Sequence, residues 1–185
     1  LQETLGHVPS RIIICHLGGG CSVTAVRDGK SIDTSMGFSP LEGLMMASRT
    51  GDIDSGAVFH MENILRQEGL SWQEADKEAQ RLLQKEGGLK AIAGIDNMQV
   101  VLERCMQGDT KAMLARDMFT YHVKKYIGAY QAILGGLDAI IFTGGIGYNA
   151  AIIRELSSAP FPGIPVFAFL AKEELEIVRQ AGTAI

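Results

Sequence analysis

Arg11 to Thr34 reads RIIICHLGGGCSVTAVRDGKSIDT. Its first five residues, RIIIC, are a short β-branched run, the pattern of a buried strand. A glycine loop, HLGGG at 16–20, follows. CSVTAVR at 21–27 alternates in part, turns at Asp28-Gly29 and resumes from Lys30 to Thr34. Asp-Gly between two extended runs is a hairpin signal. The chain therefore opens with antiparallel strands joined by a glycine loop and a tight turn. Near the other end LDAIIF at 137–142 reads as a strand, and Thr143-Gly144-Gly145-Ile146-Gly147-Tyr148-Asn149 as a second glycine loop. A helix over about 150–157, a strand over 164–170 and a last helix from 171 or 172 to about 180 complete a β–loop–α–β–α order. That order belongs to a mainly parallel sheet covered by helices. Together the two ends predict an α/β fold, a mixed sheet with flanking helices.

Helices fill the space between. Asp54 or Ser55 can cap the first, whose Val58, Phe59, Met61, Ile64 and Leu65 make a mainly apolar side and which stops near Gly69. Ser71-x-x-Glu74 is a capping box opening the second. That helix runs through Leu82-Leu83 to Gly87-Gly88, and its charge directs it to water. LKAIAG at 89–94 is short and bounded by glycine. Asp96-Asn97-Met98-Gln99 opens a helix to about Gln107, and Gly108-Asp109 caps a longer one. On that one Ala112, Ala115, Phe119, Val123, Tyr126, Tyr130 and Ile133 recur at three and four, marking it as the central helix. His122 beside this face reads as a packed core residue rather than a ligand.

The 185 residues suit one domain or the larger part of one. The 46% hydrophobic and 21% charged content is that of a globular protein. A net charge of −4 argues against a nucleic-acid surface while leaving room for a small anion held by local groups. No apolar run reaches the roughly 18 residues of a membrane span, and no secretory pattern opens the chain. Cys15, Cys21 and Cys105 fit no zinc spacing and read as reduced thiols of a cytosolic protein. The chain begins at Leu1 rather than Met, as a fragment does, and polar residues 1–10 read as a linker or edge.

Ser31 to Asp54, SIDTSMGFSPLEGLMMASRTGDID, scans neither as helix nor as strand. It embeds one guanidinium, Arg49, in a mostly apolar segment shaped by glycines and Pro40. Either the segment is a packed loop with Arg49 in a structural ion pair, or it is the wall of a site. The two glycine loops each follow a strand, and glycine lets backbone N–H groups approach an anion closely. Neither matches the P-loop, which ends in Gly-Lys-Ser/Thr. Phosphoryl transfer needs positioning and charge neutralisation, which Arg49 can supply as a planar fork. Mg²⁺ takes one or two carboxylates and several waters. Asp52, Asp54, Glu42, Glu173 and Glu174 are the candidates, and Glu173 reads equally well as a surface residue.

HLGGG at 16–20, DTSMGFSPLEGLMM at 33–46, SRTGDID at 48–54, KKYIGAY at 124–130, GGLDAIIFTGGIG at 135–147 and EEL at 173–175 resemble the acetate kinase (acetate/propionate kinase) family. The resemblance spans nearly the whole chain from Arg11 onward. It implies an actin-like ATPase (ribonuclease H-like) domain over 11–185. It also implies reversible, Mg²⁺-dependent phosphoryl transfer between ATP and a short-chain carboxylate, acetate giving acetyl phosphate. The family enzyme is a two-domain cytoplasmic homodimer with its site in the cleft. This chain resembles the carboxy-terminal domain, with residues 1–10 joining it to an amino-terminal part that holds a catalytic aspartate, a second arginine, a histidine and an asparagine. The chain alone is therefore expected to be inactive.

Carried over by the resemblance, Arg49 is the catalytic arginine. His16, Leu17, Gly18, Gly19 and Gly20 form the phosphate loop. Asn97, Met98 and Gln99 face the adenosine, Gly145, Ile146, Gly147, Tyr148 and Asn149 contact the nucleotide, and Glu173 binds Mg²⁺. The chain departs from the family at Gly19 and Lys172, where the family has asparagine. It departs again at Asn97 and Gln99, in place of aspartate and arginine, and at Tyr148, in place of glutamate. These changes fall mostly on the nucleotide side. They raise two alternatives: the same chemistry with another donor such as pyrophosphate, or a non-catalytic module that senses nucleotide or dimerises.

Overall fold

The computed structural model describes residues 6–171. Five strands form one mixed sheet in the order β3-β2-β1-β4-β5. These are β1 (Arg11–Leu17), β2 (Cys21–Arg27), β3 (Lys30–Thr34), β4 (Ala139–Thr143) and β5 (Val166–Ala168). β1 to β3 form the antiparallel meander, and β4 lies parallel to both β1 and β5. The β2–β3 turn has Asp28 at φ 51° and Gly29 at φ 76°, both in the left-handed region that a two-residue hairpin demands.

Two boundaries differ from the sequence reading. β1 continues through His16 and Leu17, because His16 pairs with Ser22 on one side and Thr143 on the other. The first glycine loop is thus reduced to Gly18–Gly20. β5 is shorter than 164–170: only Val166–Ala168 pair with β4. Pro165, which has no N–H to give, precedes the strand and offers its carbonyl to Ile140.

The helices are α1 (Ser55–Gln67), α2 (Trp72–Lys85), α3 (Gly88–Ala93), α4 (Met98–Met106), α5 (Thr110–Leu134), α6 (Gly144–Asn149) and α7 (Ala151–Ser158). Their starts follow local chemistry. Asp54, Asn97 and Asp109 each accept backbone N–H groups of the first turn, and Ser71 with Glu74 closes the capping box. Leu89–Ala93 of LKAIAG lies in α3, and Gly94 caps its end. The second glycine loop is a correction: residues 144–149 coil into α6 instead of remaining a loop.

α5 is the central helix and packs on β1 and β2. It buries Ala112, Ala115, Phe119, Thr120, Val123, Ile127, Tyr130 and Leu134. Ile127 and Leu134 take the places that the sequence pattern gave to Tyr126 and Ile133, and Ile133 is exposed. α2 buries only Ala75 and Ala79, in keeping with its charge. None of α1's residues is buried, and Phe59 and Ile64 of its apolar side stand exposed.

At the amino ends of β1 and β4, Arg11 forms an ion pair with Asp138 (Nη2 to Oδ1, 2.5 Å) and donates its backbone N–H to Oδ2 at 2.9 Å. These contacts hold the Asp138 carboxyl below the usual range. At the opposite ends, Gly144 adopts φ +77°, and a Cβ there would sit 2.6 Å from the Leu17 carbonyl oxygen. Gly144→Ala therefore meets both a disfavoured backbone angle and an unyielding backbone neighbour. It is expected to lower stability by about 2 kcal/mol or more in urea unfolding. Gly145→Ala, whose Cβ meets nothing within 4 Å, is expected to change stability by about 1 kcal/mol at most.

Candidate active site

Because β1 and β4 are adjacent and parallel, the chain leaves both at the same edge of the sheet. Their glycine segments therefore lie side by side. A Cβ on Gly18 would be 3.9 Å from the Gly145 nitrogen and 3.9 Å from His16 Nε2. Gly18 N–H donates to the Gly20 carbonyl at 3.0 Å, which folds the loop tightly. Gly19 is exposed, with no atom within 4 Å of where its Cβ would be. Leu17 points its side chain into the core, so it offers only backbone to the site.

Arg49 completes this corner. Its Nη1 lies 3.6 Å from the position of a Gly20 Cβ. The guanidinium makes long contacts to the Pro40 carbonyl, 3.4 Å, and to Met46 Sδ, 3.7 Å. Among the described residues it has no carboxylate partner, so the structural ion pair allowed by the sequence is not formed. The segment around it rests on α3: Leu89 and Lys90 donate their N–H groups to the Met46 and Ala47 carbonyls, at 3.0 Å each. Leu44, Met45 and Met46 are buried and anchor it.

Beside the glycine corner opens a cleft of about 620 Å³, lined by Asn97, Met98, Gln99, Leu102, Gly145, Ile146, Asn149 and Ala150. It brings together two sets of residues that lie about 50 positions apart in sequence. Asn97 Oδ1 accepts from the Gln99 and Val100 N–H groups, so this side chain caps α4. Gln99 Nε2 donates to Glu103 at 3.2 Å. Asn149 Nδ2 donates to the Gly145 carbonyl at 2.8 Å. Tyr148 is exposed and does not line the cleft.

Glu173 and Glu174 lie outside the described residues. Of the other carboxylates proposed for Mg²⁺, Glu42 is exposed, and Asp52 and Asp54 hold hydrogen bonds inside the chain. Asp54 caps α1, and Asp52 accepts from Gly43 N–H at 2.8 Å and from the Tyr126 hydroxyl at 2.8 Å. Among the described residues no three His, Cys, Asp or Glu side chains converge.

Sequence reasoning missed three residues that shape the site. Arg154 Nη1 donates to the Gly147 and Tyr148 carbonyls at 2.9 and 2.6 Å and closes the end of α6. Tyr126 belongs to the apolar stripe of the sequence, yet its hydroxyl reaches Asp52. His122 is half-buried, as a packed residue would be, and its Nδ1 accepts the Met45 N–H at 3.3 Å. Only a polar atom standing on an otherwise apolar helix face signalled these last two.

The sequence model of the acetokinase family matches residues 2–181. The chain belongs to this family. The acetate kinase of Lawsonia intracellularis is 45% identical over 90% of this chain and 46% of its own length. The acetate kinase of Streptomyces griseus is 45% identical over 96% of this chain and 41% of its own length. Among solved structures, Porphyromonas gingivalis acetate kinase superposes with a TM-score of 0.86 at 30% identity, over 98% of this chain and 51% of that one. A Francisella tularensis propionate kinase gives 0.85 at 35% identity, over 95% and 50%. This acetokinase-family chain thus has the actin-like ATPase fold, and it spans about half the length of the relatives it matches. No described helix is long and apolar enough to cross a membrane.

In this acetokinase-family domain, His122 links stability to pH. Burial, with Lys125 adding to it, lowers the His122 pKa from its ordinary value; Asp52 opposes the shift. The folded state therefore binds the proton less readily than the unfolded chain. The stability from neutral His122 is complete above the unfolded value of about 6.5 and is lost as pH falls through the folded value. Urea unfolding at pH 7.5 and 5.5 is expected to show a drop in stability that His122→Gln reduces.

Proposed function

We propose that this domain supplies the nucleotide-side half of a kinase. The whole protein moves a phosphoryl group reversibly between ATP and a short-chain carboxylate such as acetate, forming acetyl phosphate. One observation carries the reading: Arg49, without a carboxylate partner among the described residues, stands against the glycine corner, whose Gly145 also lines the 620 Å³ cleft. In this reading the adenosine lies along Asn97–Gln99 and Gly145–Asn149, and the phosphates run toward Gly18–Gly20. The absence of Cβ atoms there lets the phosphates approach the backbone closely.

The acceptor is already an anion at neutral pH, so no general base is required. A carboxylate oxygen attacks the γ-phosphorus in line. The new O–P bond forms as the bond to ADP breaks, and the bridging electron pair leaves with ADP. Charge spreads over the equatorial oxygens, where the Arg49 fork neutralises it. Mg²⁺ would be held by Glu173, the ligand the resemblance suggests, and would supply charge screening for the phosphates. The described residues present no three-ligand set for it. The amino-terminal half, which the relatives' greater length supports, would provide the carboxylate pocket and the remaining catalytic side chains. A cytoplasmic homodimer belongs to the same proposal.

Arg49→Ala in the full-length protein is expected to lower acetyl phosphate formation on the order of 10³-fold. An unchanged rate would remove Arg49 from the chemistry and leave a non-catalytic module as the reading. The size of the cleft beside Asn97 favours a nucleotide donor. ATP is therefore expected to saturate while pyrophosphate stays inert; turnover with pyrophosphate alone would reverse that.

A further inference from the structure

Asp52 and Tyr126 stand away from the nucleotide cleft, yet both bear on Arg49. The segment from Gly43 to Asp52 carries Arg49 and closes on itself at its neck. Gly43 N–H donates to Asp52 Oδ1 at 2.8 Å, and Asp52 N–H donates to the Gly43 carbonyl at 2.9 Å. Asp52 Oδ2 accepts the Tyr126 hydroxyl at 2.8 Å. Tyr126 sits on α5 and packs edge-on against Tyr130, with ring centroids 5.7 Å apart. The Tyr130 hydroxyl in turn donates to Asp33 Oδ1 of β3 at 3.4 Å. The neck of the loop is therefore fastened to the longest helix and, through it, to the sheet.

The contacts of Arg49 explain why the neck matters. Its guanidinium has no ion pair among the described residues, and its two side-chain contacts are long. Its carbonyl, by contrast, accepts the Met46 N–H at 3.1 Å within the loop. The loop backbone, more than any clamp on the side chain, thus sets where the fork points. Holding an arginine this way keeps its charge available, because a fixed carboxylate partner would compete with the phosphoryl oxygens.

We propose that Asp52 and Tyr126 are positioning residues that fix the Arg49 loop for phosphoryl transfer. The proposal rests on the role given to Arg49 above. It also departs from reading Asp52 as a metal ligand, since both carboxylate oxygens are engaged inside the protein.

The test is a double-mutant cycle in the full-length protein. Tyr126→Phe and Asp52→Asn are each made alone and together with Arg49→Ala, with acetyl phosphate formation followed at varied ATP and Mg²⁺. Circular dichroism checks that each variant is folded. Each single substitution is expected to lower kcat about 10-fold, with the KM for ATP and the Mg²⁺ requirement within about twofold of the parent. In the Arg49→Ala background neither is expected to cost more, because the loop then has no fork to present. Losses that multiply with Arg49→Ala, or a kcat untouched by both substitutions, overturn the proposal. A raised Mg²⁺ requirement in Asp52→Asn overturns it in favour of a ligand role. If Arg49→Ala alone leaves the rate intact, the role of Arg49 fails first, and that is visible from the single variant.

Discussion

The parallel pairing of β1 with β4 is the contact on which the rest of the site depends. It sets Leu17 against Gly144 and brings two glycine segments, distant in sequence, to one sheet edge. The closeness of that approach is a matter of excluded volume: the Leu17 backbone occupies the space where any side chain at 144 would begin. The Arg11–Asp138 ion pair guards the register at the far end of the same two strands. A slip by one residue would reverse which side chains face the core and separate the two segments.

Everything else in the site is arranged around that edge. α5 lies across β1 and β2 and supplies apolar packing through Phe119, Val123 and Ile127. The same helix turns His122 and Tyr126 toward the Arg49 segment. One helix thus joins the core to the loop that bears the charge. α3 supports that loop from the other side through its first N–H groups, which have no partners within their own helix.

Much of this was legible in the sequence because it is local. The Asp28-Gly29 turn, the Ser71–Glu74 capping box and the Asp109 cap each need only a few adjacent residues, and each formed as expected. The structure brings Asn97, Met98 and Gln99 together with Gly145, Ile146 and Asn149 around one cleft. Sequence gave less where distant groups decide. Coiling of 144–149 into a helix runs against local propensity, since glycine-rich segments are poor helix formers, and its first residue lies against the Leu17 backbone. Ile127 is fully buried, while Tyr126 packs only partly buried against the same core. The hydroxyl of Tyr126 found Asp52, which lies 74 positions away, and no periodicity encodes such a bond.

The β1–β4 pairing also has a consequence in time. Ile12 and Ala139 are register partners 127 positions apart (139 − 12). The β1–β3 meander closes over a few residues and can form early. Joining β4 to it must overcome the closure entropy of the whole helical middle. On a ribosome the first glycine loop emerges long before the second. The glycine corner is therefore among the last features to take shape, and a nascent chain passes most of its synthesis without one.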